Sequence, residues 1–206
     1  RGMQPSPVKL SFKEQMHQAR EEAILQATCR LLGEKAYDAM TMDDVANAVG
    51  IAKASLYKHF ASKEELCRAA MVQILGRVQA FLDTVPVELA PQDKLRALVR
   101  WSLERLIACE MPLLPSRNTA LRGVLMADKR YLGTLIGVSD CIGQWITEAQ
   151  AQGRIDSSLP PLVVLYTLFA RACDPVVSFL KEGGQFDDAA IVELVLKTCF
   201  DGLNSR

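Results

Sequence analysis

Between Thr41 and Phe60 the chain has room for two short helices and one tight turn, and this compression constrains the fold more than any other feature. Met42, Val45, Ala46 and Val49 recur at i, i+3, i+4 and i+7, which puts one apolar face on a helix. Gly50 supplies the permissive backbone that a sharp turn needs. Ile51, Leu56 and Phe60 then hold a second short helix against the first. Capping signals frame the pair. Thr41 with Asp44 is a T-x-x-D pattern, and Ser62 with Glu65 is an S-x-x-E capping box that opens a third helix. The spacing predicts a helix-turn-helix whose second helix turns Lys53, Ala54, Ser55, Tyr57, Lys58 and His59 outward.

Small, basic and hydroxyl-bearing side chains on one helix face suit the major groove of duplex DNA, where base edges and phosphates must both be reached. Lys53, Ala54, Ser55 and Lys58 are the candidates for base-edge contact. Thr41, Tyr57, His59 and Lys63 are the candidates for phosphate contact, and Thr41 and Lys63 stand at helix starts, a natural seat for a phosphate. Charge supports this only locally. Residues 1–75 carry a net charge of +1 and residues 76–206 a net charge of −1, but Gly50 to Lys63 holds three lysines and no acid. That patch suits a few phosphate contacts and no wide basic surface. The bland alternative is a three-helix packing unit with solvated charges.

The wording of the segment decides between them. Gly33-Glu-Lys-Ala-Tyr37 through the ending Leu56-Tyr57-Lys58-His59-Phe60, followed by Ser62-Lys63-Glu64, resembles the DNA-binding domain of the tetracycline-repressor (TetR/AcrR) family over about residues 20–66. Two positions depart from that pattern. Ala52 stands where a Ser usually caps the recognition helix, and Ala54 stands where Gly is frequent, so base-level specificity does not carry over. The resemblance implies a dimeric, ligand-responsive transcriptional regulator, most simply a repressor of a palindromic operator on double-stranded DNA that a small-molecule effector releases. The alternatives are an activator, an effector-independent regulator, or a helical ligand-binding protein without DNA function.

The rest of the chain reads as all-α. Helices are expected at about 11–33, 42–60, 63–84, 92–111, 117–127, 130–152, 160–181 and 187–203, with Pro86, Pro112, Pro115, Gly153 and Gly183-Gly184 as stops. Residues 4–10, with Pro5 and Pro7, read as a loose tail. The organisation is a DNA-binding unit over 11–62 and a helical effector-binding and dimerisation unit over 63–206.

Other chemistries find little support. The chain has only two histidines, and no acid or cysteine cluster of metal-ligand spacing is evident around them, so no metal, cofactor or enzymatic activity is expected. Gly137-Val-Ser-Asp-Cys141 lacks the second glycine of a nucleophile elbow and reads as helix interior. The six cysteines form no C-x-x-C pair and read as small buried hydrophobes. The most apolar stretch, Leu159 to Ala170, is stopped by Arg171 and is shorter than the ~20 residues of a membrane span. A cytoplasmic protein without a membrane partner is expected.

In the second unit, Trp101, Leu106, Cys109, Met126, Tyr131, Trp145 and Phe169 are large or soft side chains spread over several helices. The resemblance implies an effector pocket among them, and scarce charge after residue 130 suggests a largely apolar effector. Arg105 shares a helix face with Trp101 and Cys109 and could hold an anionic group, or simply be solvated. Arg171 and Asp174, at i and i+3, are expected to pair, with Pro175 kinking the helix. In the last helix Ile191, Leu194, Val195 and Thr198 form one face and Val192, Leu196, Phe200 and Leu203 a neighbouring one. Two such faces need two partners, so Leu165, Phe169, Val192, Val195, Leu196 and Cys199 are expected at a homodimer interface, where Val195→Glu or Leu196→Glu would give monomers or aggregates and abolish operator binding.

Overall fold

A computed structural model describes residues 9–111 and 120–204 of the 206-residue chain. Part of the proline-containing tail, the stops at Pro112 and Pro115, and the start of the helix expected at 117–127 lie outside the described residues. Every regular element among the described residues is an α-helix: α1 (Phe12–Glu34), α2 (Met42–Val49), α3 (Lys53–His59), α4 (Lys63–Thr84), α5 (Pro91–Ile107), α6 (Ala120–Ala127), α7 (Lys129–Ala151), α8 (Pro161–Ala172), α9 (Val176–Gly183) and α10 (Asp188–Phe200). The all-α expectation holds, and most helix limits fall within a residue or two of those expected.

Two differences have local causes. The helix expected to reach 111 ends at Ile107, because Cys109 takes a left-handed conformation (φ 58°). The chain there folds back so that Glu110 N–H donates to the Arg105 carbonyl at 2.9 Å. The helix expected at 160–181 is two helices. Asp174 accepts from the Val176 N–H at 3.0 Å and pairs with Arg171, so the chain turns at the expected salt bridge just before Pro175. By length and composition Pro161–Gly183 could cross a membrane, but this turn divides it.

The buried side chains form two cores. In the first, Ile24, Leu31 and Leu32 of α1, Val45 and Ala46 of α2, and Leu56 of α3 meet Leu66, Cys67, Ala70, Met71 and Ile74 of α4, with Leu121 and Leu125 of α6 added. In the second, Leu82 at the far end of α4 joins Leu95, Leu98 and Leu103 of α5, Ile142 and Ile146 of α7, and residues of α8 to α10. α4 therefore belongs to both. Truncating a fully buried leucine such as Leu56 to alanine typically costs about 2–5 kcal/mol, so each core fixes its helices firmly.

The last helix corrects the sequence reading. Ile191, Val192, Val195 and Leu196 all lie between 0% and 4% exposed within the single chain, and Leu165 of α8 is also buried. These four, drawn from both expected faces, form one stripe against the chain's own core and have no surface left for a second subunit. Phe169 and Cys199 pack partly buried against the same core. Within α8 to α10 the exposed large apolar side chains are others: Leu162, Val163 and Tyr166 on α8, Val176 and Phe179 on α9 and Leu194 on α10. Only 28% of the most apolar window within Pro161–Gly183 is buried in the chain.

Candidate nucleic-acid interface and effector cavity

The geometry of the helix-turn-helix starts from its caps. Thr41 Oγ1 accepts from the Asp44 N–H at 3.1 Å, and Asp44 Oδ2 accepts from the Thr41 N–H at 2.9 Å. This reciprocal cap holds the Asp44 carboxyl below its usual pKa, chiefly through the Thr41 N–H and against a smaller effect of desolvation. Gly50 closes α2 at φ 77°, and its N–H and that of Ile51 both donate to the Ala46 carbonyl. Only glycine takes this left-handed geometry at little cost, and it lets α3 start two residues later. α3 has no side-chain cap, as the Ala52 substitution implies. Leu56 and Phe60 anchor it from below.

The outward face of α3 carries Lys53, Ala54, Tyr57 and Lys58, all exposed, with Ser55 half-buried at its edge. Lys53 is not idle: its ammonium lies 3.1 Å from Asp43 Oδ2 on α2, which raises its pKa. Both side chains are more than half exposed, so this link is weak and a competing phosphate can displace it.

Two of the expected DNA contacts are placed differently. The Lys63 ammonium donates to the carbonyls of Tyr37 (2.8 Å) and Met40 (3.0 Å) and sits 4.3 Å from the centre of the Tyr37 ring. It caps the loop between α1 and α2 from inside. The Tyr37 hydroxyl is in turn pushed up to about 12, mainly by burial. The His59 side chain is only 7% exposed and faces α1, where its ring stacks on His17 at 4.5 Å between centroids and its Nδ1 lies 3.4 Å from Glu21 Oε1. His17 Nε2 is 3.1 Å from the same oxygen. The expectation of no acid near the histidines therefore fails. Glu21 is four residues after His17, one helical turn away, and folding adds His59 from 38 residues further on.

These positions separate the lysines by experiment. Lys58→Ala should weaken binding to the preferred duplex by about 1–3 kcal/mol and relax the preference at one base position, as expected for one lost base-edge contact. Lys63→Ala should instead destabilise the fold by about 1.5–3 kcal/mol, the usual worth of hydrogen bonds from a charged group, read as an earlier urea midpoint. A Lys63→Ala protein with wild-type stability and a lowered salt slope would return Lys63 to the DNA surface.

The residues expected to line a pocket in the second unit fall into two places. Tyr131 and Phe169 help to line an apolar cavity of about 140 Å³ between α4, α5, α7 and α8, together with Ile74, Val78, Val138 and Leu168. Burial raises the Tyr131 pKa. Trp101 and Cys109 line a separate open cleft of about 640 Å³ between α1, α4 and α5, where Arg30, Arg77 and Arg105 converge and Phe81 stacks on Trp101 at 5.0 Å. Leu106, Met126 and Trp145 line neither. Leu106 packs against the main core. Met126 is exposed on α6, and Trp145 is buried beneath Lys94. The lining residues that sequence reasoning missed are ordinary aliphatics at helical spacing, indistinguishable from core until the helices are placed.

Of the cysteines, Cys29 is pushed up to about 11 and Cys67 to about 12, both mainly by burial. At neutral pH they remain thiols and poor nucleophiles, in keeping with a packing role.

Comparisons with known proteins agree with the fold. Residues 24–70 match the family model described as bacterial regulatory proteins, tetR family. The chain is 33% identical over 90 residues to the HTH-type transcriptional repressor KstR2 of Mycolicibacterium smegmatis, an alignment that covers 42% of this chain and 42% of that protein. The chain thus matches less than half the length of that relative. Among solved structures, the fatty acid degradation regulator FadR from Bacillus halodurans superposes with a TM-score of 0.64 at 20% identity, covering 91% of this chain and 97% of FadR. AibR in complex with isovaleryl coenzyme A and operator DNA superposes at 0.61 and 19% identity, covering 88% of this chain and 98% of AibR. At these identities the likeness is one of fold.

Proposed function

We propose that the chain, whose residues 24–70 match the family model of tetR-family bacterial regulatory proteins, is a homodimeric transcriptional repressor that binds a palindromic operator and leaves it when a small molecule enters the second unit. The observation that carries this reading is the double membership of α4. Its first turns pack under the helix-turn-helix through Leu66, Cys67 and Ala70, and its middle, Ile74, Leu75 and Val78, lines the apolar cavity. A ligand that pushes on the middle of α4 must therefore move the reading head or strain the first core. Packed interiors give way by shifting between discrete arrangements, which converts a small displacement into a change of head spacing. Two heads on one dimer must meet half-sites about one helical turn apart, ~34–36 Å, so a few ångströms of change suffices. Such a repressor acts in the cytoplasm, where its operator is.

The effector is amphipathic in this reading. The cavity takes an apolar group. Its present volume is below the ~300–1,000 Å³ of most ligand pockets, so the group is short or the helices part around it. The neighbouring cleft, lined by Arg30, Arg77 and Arg105 with Glu110 paired to Arg105 at 3.4 Å, suits an anionic head that displaces this exposed carboxylate. α4 and α5 contribute to both. A short acyl chain joined to a phosphate-bearing carrier meets both requirements, and AibR, of like fold, is known in complex with isovaleryl coenzyme A. The dimer is supported by the uncovered Leu162, Val163, Tyr166 and Phe179, an apolar surface of the kind that marks an interface.

The test is a footprint on DNA adjoining the protein's own gene. A protected palindrome with two half-sites one turn apart is the expected result. Equal affinity for that DNA and for random duplex would overturn the repressor reading.

A further inference from the structure

Both histidines of this chain meet at one carboxylate, and neither the DNA-reading face nor the effector cavity uses them. His17 Nε2 and His59 Nδ1 lie 3.1 Å and 3.4 Å from the same oxygen of Glu21, and the three ligand atoms fall within 4.8 Å of one another. In a tetrahedral zinc site, bond lengths of ~2.0–2.1 Å to nitrogen and ~2.0–2.2 Å to oxygen set neighbouring ligand atoms roughly 3.3 Å apart. Two edges of the triangle already have that length.

The donor set has the right chemistry as well. Two imidazoles and one carboxylate are borderline ligands that suit Zn²⁺ and similar divalent transition metals, and are a poor match to Ca²⁺ or Mg²⁺. Three protein ligands leave one position for water, the arrangement of an open zinc site. The surroundings distinguish a fixed side from an adjustable one. His59 is held by its burial against α1, whereas the His17 side chain is 57% exposed and Glu21 37% exposed. The exposed His17 is free to turn away from its stack on His59, the movement that aiming both ring nitrogens at one ion requires. The fourth side faces a groove lined by Leu10, Ser11, Lys13 and Glu14, open to solvent.

We propose that His17, Glu21 and His59 form a divalent transition-metal site, with Zn²⁺ the best-fitting ion, that ties α1 to the last turn of α3. The ion replaces the contact between two imidazoles and one carboxylate by three bonds to a common centre. It thereby fixes the recognition helix on the long helix beneath it, and the metal binds the folded chain in preference to the unfolded one. The site needs no DNA and no effector, so its test is independent of the repressor reading.

The full chain is titrated with Zn²⁺ alone against a chromophoric chelator, and with Co²⁺ as a spectroscopic probe. The expected result is one Zn²⁺ per chain at micromolar concentration or tighter, with a rise in Tm. The Co²⁺ spectrum should show visible d–d bands and none of the intense near-ultraviolet bands of thiolate ligation. His17→Ala removes an exposed ligand and should lower the metal-free Tm only slightly while weakening Zn²⁺ binding by about 10-fold or more; loss of a group that only orients a ligand typically costs about 10–100-fold. Glu21→Gln provides a second variant with the same expectation, and Cys109→Ser should bind as the wild type does. Wild-type Zn²⁺ binding in both His17→Ala and Glu21→Gln, a thiolate Co²⁺ spectrum, or no binding by the wild type at 100-fold molar excess of metal would each overturn the assignment.

Discussion

A chain carrying Tyr166→Glu should fold normally, sediment as a monomer and bind its operator on the order of 100-fold more weakly than the wild type, because a monomer keeps only one reading head and half the phosphate contacts. Tyr166 is 60% exposed on the single chain, one turn along α8 from the exposed Leu162 and Val163. A carboxylate there is fully solvated in a monomer, so the fold pays nothing. In a dimer the same carboxylate must be desolvated without a partner, at a cost of several kcal/mol. Leu196→Glu is the contrasting variant. Leu196 is fully buried in the chain's own core, so a charge there should unfold the protein instead of dissociating it. Analytical ultracentrifugation with circular dichroism separates the two outcomes. A folded Tyr166→Glu protein that remains dimeric would place the interface elsewhere.

The contrast also marks where sequence reasoning stops. The helix-turn-helix was legible because each of its signals is local: the caps at Thr41 and Ser62, the apolar period from Met42 to Val49, and Gly50 at the turn act within a few residues. The pairing of Arg171 with Asp174 was legible for the same reason. The side of α10 that the chain itself covers was not. On α10 the period identifies Ile191, Val192, Val195 and Leu196 as apolar but not how wide a stripe the rest of the chain can cover; α5 and α9 both pack on this helix, and these four are buried while Leu194 stays exposed. His59 was misplaced because its partners stand 38 and 42 residues away on α1, beyond the reach of any local pattern. Lys63 was assigned outward because its carbonyl acceptors, Tyr37 and Met40, carry no signal in the sequence. The cavity was invisible for a related reason: an aliphatic that lines a void and one that fills a core look alike until the helices are set.

Filling the cavity should separate sensing from DNA binding. Ala172→Phe places a ring in the space beside Leu168 and Cys173, where about 140 Å³ is open. Because room exists, the substitution avoids most of the ~1–3 kcal/mol that overpacking a filled core costs. Operator affinity should stay within about 2-fold of wild type, while the effector should lose on the order of 100-fold in affinity and no longer release DNA. Arg105→Ala acts on the other end of the same ligand. Loss of one charged contact to an anionic head should weaken it by about 10-fold, equivalent to roughly 1.4 kcal/mol. If Ala172→Phe keeps a wild-type response to effector at unchanged affinity, the sensor lies outside this cavity.

The central claim, that one helix couples an effector cavity to a DNA-reading head, predicts a reciprocal free energy. Operator affinity measured by fluorescence anisotropy with and without a saturating short-chain acyl-coenzyme A gives one coupling factor, and effector affinity measured by calorimetry with and without operator DNA gives another. Thermodynamic linkage requires the two to be equal, and couplings of this kind usually lie near 5–150-fold. Two equal factors within that range are the predicted result. An acyl-coenzyme A that binds the protein tightly and leaves operator affinity unchanged would contradict the account, since a ligand with equal affinity for both arrangements shifts neither.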